Sequence, residues 1–117
     1  SFGEDKINVT KKSLAYLKGM QSEGILGSAK HFPGHGDTSQ DSHKTLPTIN
    51  FSSKRINDIE LHPYKELIKN NLSGVMVAHM EVPSLEKTPK LPSTLSDIIN
   101  PTSRMIDSDN LGISLRL

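Results

Sequence analysis

The chain of 117 residues contains no cysteine. Disulfides and thiolate metal sites are therefore excluded, and the redox compartment has no marker. Aromatic residues make up only 4% and hydrophobic residues 33%, which is lean for a self-sufficient core at this size. Neither sign of charge dominates: 14 Lys and Arg stand against 13 Asp and Glu. The charges are interspersed, so nothing in their pattern calls for a nucleic-acid partner. No apolar run approaches the roughly 18 to 20 residues of a membrane span. Neither an initiator Met nor a signal peptide is seen, and the opening "SFGEDK" reads as mid-phrase. These features raise the expectation of one partial domain, residues 1–117, that folds poorly alone.

What is present is concentrated in one stretch, "KHFPGHGDTSQDSHKTLP", residues 30–47, which holds three of the five histidines together with Asp37 and Asp41. Its surroundings follow a legible pattern. Leu14, Leu17 and Met20 recur at helical spacing, and Gly24 suits a helix stop. "ILGSAKHF" reads as a short buried strand. A polar loop from 33 to about 53 follows, punctuated by Gly34, Gly36 and Pro47. Ile56, Ile59, Tyr64, Leu67 and Ile68 mark a second amphipathic helix, in which Pro63 is tolerable only in the first turn. "SGVMVAHM" has the continuous apolar character of a strand covered on both faces. After a proline-rich loop, a third helix is expected from Ser93 or Thr94, with Leu95, Ile98 and Ile99 on one face and Pro101 ending it. Helices alternating with apolar strands indicate parallel α/β architecture. Both polar clusters then fall at the carboxyl ends of strands, where such folds build active sites. Two or three βα units cannot close a barrel, which takes about 250 residues.

The chemistry of the loop is open on pattern alone. His31 and His35 are four apart, as in a helical zinc motif, but Pro33 and Gly34 between them oppose a helix. A loop could still gather His and Asp ligands. Asp41 and His43 are two apart, close enough for a carboxylate to fix the tautomer of an imidazole and free its other nitrogen for proton transfer. Asp-x-His is also common by chance, and a solvated turn remains the simpler alternative. "PGHG" suits close backbone approach or an ordinary tight turn equally.

The signature as a whole resembles that of the glycoside hydrolase family 3 β-N-acetylglucosaminidases, the NagZ-like branch. "SFGED", "LKGMQSEGI", "ELHPYKELI", "SGVMVAHMEVPSLE" and "LPSTLS" extend the similarity from residue 1 to about 96. The resemblance implies a (β/α)8 barrel, of which this chain supplies the central βα units. It also implies retaining hydrolysis of β-linked N-acetylglucosamine, commonly in turnover of peptidoglycan fragments, with no cofactor. On the matching positions His43 is the acid/base and Asp41 its carboxylate partner, in place of the second carboxylate of most retaining enzymes. Lys30 and His31 match residues that bind sugar hydroxyls. His79, ending "GVMVAH", points toward the expected substrate face, where pocket contact and loop support are equally open. His35 is expected to be structural, His62 to lie at the surface, and Met76 and Met80 to pack. Transfer of the sugar to phosphate, and a non-catalytic sugar- or metal-binding fragment, stand as alternatives.

The tail departs from the family. A nucleophilic Asp is expected in a phrase like "LGFKGLIFSDDL", whereas "DNLGISLRL" carries none after Leu111. Asp107 and Asp109 are better read as loop or helix-end residues. The expectation is a chain that is inactive without the remainder of the barrel.

Overall fold

The computed structural model describes residues 2–35 and 46–99. The first element, α1 (Lys6–Ser22), starts where the Asp5 carboxylate accepts the Asn8 N–H at 2.8 Å, satisfying an otherwise orphaned donor of the first turn. It stops as its glycine implies. Gly24 adopts φ +71°, its N–H donates to Gln21 O, and the Ile25 N–H donates to Met20 O. This is the paired closure of a helix end that needs one left-handed residue. Of the periodic residues, Leu17 is buried, while Leu14 and Met20 are half-buried.

The second helical run begins at Ser52, whose hydroxyl accepts the Arg55 N–H, and comprises α2 (Ser53–Arg55), a π-turn (Ile56–Glu60) and α3 (Leu61–Lys69). Pro63 does fall in the first turn of α3, as expected, but the helical backbone continues upstream of it. Proline lacks an N–H and crowds the carbonyl four residues back. Here the π-turn widens the helix just before it, with the Leu61 N–H reaching Ile56 O. The amide five residues beyond Asp58 would be that of Pro63, which has no N–H. Lys6 Nζ donates to the Asp58 carbonyl at 2.9 Å and ties α1 to the second run. The run ends like α1, with Asn71 at φ +60° and the Leu72 N–H on Leu67 O. Gln21 Nε2 donates to Asn70 O and Asn71 O, joining the two helix ends.

Strands β1 (Ser28–Phe32) and β2 (Gly74–Val77) pair in parallel, with Ser28 opposite Gly74 and Phe32 opposite Val77. The expected parallel α/β pattern is present in this two-stranded sheet. Its expected burial is not. In β1 only Phe32 is buried, and in β2 Met76 is 51% exposed. Helices cover one face of the sheet, and among the described residues no further strand or layer covers the other.

The core lies between that sheet and the helices. Phe32, Ile49, Ile56, Leu61, Tyr64, Ala78, Met80, Val82 and Ile99 form one cluster, and Leu17, Leu67 and Leu72 a second between α1 and α3. Phe32 meets Tyr64 edge to face, with ring centroids 5.2 Å apart. Met80 packs as expected and Met76 does not, because β2 turns it to the open face.

The expected third helix is absent over 93–99, which is a series of turns; residues from 100 onward, including Pro101, Asp107 and Asp109, lie outside the described part. Serine hydroxyls explain the difference by competing for backbone groups. Ser93 Oγ and the Ser93 N–H both donate to Met80 O at 2.7 Å. Ser96 Oγ donates to Glu86 Oε2 at 2.6 Å and accepts the N–H groups of Ile98 and Ile99. Leu95 and Ile98 are exposed, and Ile99 alone of the expected apolar face is buried.

Candidate active site

Lys30 and His31 end the first strand at an irregularity, since Lys30 pairs with Met76 and Phe32 with the very next residue, Val77. The peptides 30–31 and 32–33 are both cis. Phe32 points into the core, whereas Lys30 and His31 are exposed. Beyond the second strand the Ala78 N–H donates to Phe32 O at 2.8 Å, so the two chains stay in step past β2. Burial then alternates as in extended chain: Ala78, Met80 and Val82 face the core, and His79 and Glu81 face away from it. Lys30, His31 and His79 thereby line one open groove of about 1150 Å3, which runs from Gly27 and Leu72 along the strands to their carboxyl ends and is flanked by α1.

His35 also lines this groove, its ring 6.0 Å from that of His31 in an edge-on arrangement. The pKa of His31 is held below 6.5, first by partial burial of the ring, then by the positive charge of Lys30 and by His35. At neutral pH His31 is therefore a neutral imidazole with one donor and one acceptor beside a cationic lysine. On the other side, His79 Nδ1 lies 2.7 Å from Thr94 Oγ1.

Beneath the groove Gly34 takes φ +141°, and a Cβ there would meet Glu60 Cγ at 2.9 Å. Only glycine combines that backbone with so close an approach. Glu60 is paired to Arg55 at 3.5 Å, and the Arg55 guanidinium stacks on Phe51, 3.4 Å from its centroid. One Glu60 oxygen, Oε2, is buried without a hydrogen-bond partner. His62 is half-buried rather than fully at the surface.

Of the residues expected in the site, Lys30, His31 and His79 come together; Asp41 and His43 lie outside the described residues, as does Asp37. Among the described residues no three His, Asp or Glu side chains converge as metal ligands would. No described helix is long and apolar enough to cross a membrane. Thr94 and Glu60 are the residues that sequence reasoning missed. Thr94 was legible only as a helix start, and Glu60 carries no local signal because its partners are Gly34, in the preceding loop, and Arg55.

Residues 1–100 match the Glycosyl hydrolase family 3 N terminal domain. The chain is 39% identical over 104 residues to Beta-hexosaminidase A of Pseudoalteromonas piscicida, covering 88% of itself and 17% of that protein. Against Beta-hexosaminidase LpqI of Mycobacterium tuberculosis it is 42% identical over 96 residues, 82% of this chain and 24% of the relative. The solved glycoside hydrolase family 3 beta-N-acetylglucosaminidase of Paenibacillus sp. superposes with a TM-score of 0.81 at 39% identity, over 85% of this chain and 19% of that one. This chain thus spans about a quarter or less of the length of these relatives, and over that span it belongs to the glycosyl hydrolase family 3 N-terminal domain.

Proposed function

We propose that these residues form the central βα units of a (β/α)8 barrel that hydrolyses terminal β-linked N-acetylglucosamine with retention of configuration. The observation that carries this reading is that Lys30, His31 and His79, near the carboxyl ends of two parallel strands, line one groove. Gly34 and His35 of the signature stretch line the same groove. Lys30 donates to sugar hydroxyls, and the neutral His31 beside it donates and accepts one hydrogen bond each. His79 contacts the ring from the second strand.

His43 is the acid/base, oriented by the Asp41 carboxylate on its other nitrogen. It gives its proton to the glycosidic oxygen as the leaving group departs. An Asp from outside this chain attacks the anomeric carbon and forms the glycosyl-enzyme ester. His43 then takes a proton from water, which displaces the Asp and releases the sugar. The chain by itself supplies neither the nucleophile nor a closed barrel, so it is inactive alone.

An aryl N-acetyl-β-glucosaminide tests both parts. The 117-residue chain is expected to give no turnover, and the complete barrel to lose roughly 10²- to 10⁴-fold in kcat on His43→Ala. Turnover by the chain alone that vanishes in His43→Ala sinks the claim of inactivity. An undiminished His43→Ala barrel sinks the dyad, and sugar 1-phosphate formed in phosphate buffer replaces water by phosphate as acceptor.

A further inference from the structure

His79 is not held by its own strand alone. Its Nδ1 lies 2.7 Å from Thr94 Oγ1, fifteen residues along the chain, while the ring stays exposed in the groove shared with Lys30 and His31. The segment that brings Thr94 there is pinned on both sides. Ser93, fully buried, donates twice to Met80 O, the carbonyl of the residue next to His79. Ser96, also fully buried, donates to Glu86 Oε2 at 2.6 Å and accepts from the backbone of Ile98 and Ile99. Glu86 in turn accepts the Thr88 N–H at 2.9 Å, and the Leu95 and Ser96 N–H groups close on Pro92 O. A threonine between two such anchors has its hydroxyl placed by the loop, not by a free side-chain rotation.

We propose that Thr94 is a positioning residue: its hydroxyl occupies Nδ1 of His79 and turns Nε2 to the groove as a fixed contact for the bound sugar, a role that rests on the groove being the sugar site. An imidazole that is free to rotate presents no fixed nitrogen to a ligand. One whose Nδ1 is held by a hydroxyl, which can donate or accept, keeps one ring orientation with Nε2 toward the groove in either tautomer. The loop of residues 80–99 thereby takes part in substrate binding without touching the reacting atoms.

Two variants and two readouts test it. Thr94→Val removes the hydroxyl at nearly constant shape, and Thr94→Ser keeps it. With ¹⁵N-labelled histidine, the ring-nitrogen shifts of His79 in the complete barrel are expected to move in Thr94→Val and to return in Thr94→Ser. KM for an aryl N-acetyl-β-glucosaminide is expected to rise about three- to tenfold in Thr94→Val, with kcat changed much less. That rise is expected to vanish when His79 is already alanine. Unchanged ring-nitrogen shifts overturn the proposal, as does a KM effect of Thr94→Val that persists in the His79→Ala background. If the wild-type barrel shows no glycosidase turnover, the function proposed above fails separately. Binding of N-acetylglucosamine, followed through the same His79 signals, then decides the role of Thr94.

Discussion

At the scale of single residues, carboxyl groups outside the groove are tuned by hydrogen bonds to side chains and amides within ten residues of them. Glu86 is the clearest case. The Ser96 hydroxyl, then the backbone and hydroxyl of Thr88, hold its carboxyl below the ordinary 4.5. A carboxylate whose folded pKa is depressed stabilises the fold above its unfolded value, and that contribution is lost as pH falls through the folded value. Urea unfolding measured between pH 6 and pH 3 should therefore show stability declining below about 4.5. Glu86→Gln should flatten this decline while lowering stability at pH 6, because the amide keeps the shape and loses the charge-assisted acceptor. An unchanged slope in the variant would assign the acid sensitivity elsewhere. Sequence offered no hint of this cluster, since a glutamate and a serine ten residues apart in a proline-rich loop look like ordinary solvent-facing residues. The groove histidines were easier: His31 stood out through the family resemblance of its stretch, and His79 because it ends a continuous apolar strand.

At the scale of elements, helix ends were legible and the helix interior was not. Gly24 announced the end of α1, and it is there that a left-handed residue is needed. The π-turn before Pro63 could be read only as a difficulty, because its backbone also takes a hydrogen bond from Lys6 of another helix. This contact predicts non-additive energetics. Lys6→Met leaves the Asp58 carbonyl short of a donor and should cost about 1 kcal/mol in chemical denaturation. In Pro63→Ala, residue 63 regains an N–H that can serve that carbonyl, and Lys6→Met should then cost distinctly less. Equal costs in the two backgrounds would show that Lys6 does not compensate for the proline. The third helix failed as an expectation for a related reason. Leu95, Ile98 and Ile99 carry helical spacing, but Ser93 and Ser96 spend their hydroxyls and neighbouring amides on Met80 and Glu86. Hydrogen bonds across thirteen and ten residues outweigh a weak local preference.

At the scale of the whole molecule, the two-stranded sheet carries helices on one face only among the described residues. Stability then rests on the contact between helices and sheet, and on the small cluster of Leu17, Leu67 and Leu72 that holds α1 to α3. Leu67→Ala should cost about 2–5 kcal/mol, a large part of the 5–15 kcal/mol typical of whole domains. The urea midpoint of the chain should fall accordingly, with an unchanged m-value. A fall below 1 kcal/mol would mean that α1 is not held by this cluster.

Composition and periodicity were enough to determine the parallel α/β class, the first two helices and the strand ends that carry Lys30, His31 and His79. Those features depend on apolar spacing and on residues a few positions apart, which a sequence displays directly. The signature loop likewise identified the family through its own order of residues. Tertiary structure alone decided what covers what: that the strands stay half-exposed, that Thr94 meets His79 instead of starting a helix, and that Lys6 reaches the Asp58 carbonyl. The last two join groups fifteen and fifty-two residues apart, and their energies arise only once the chain has brought both partners to the same place.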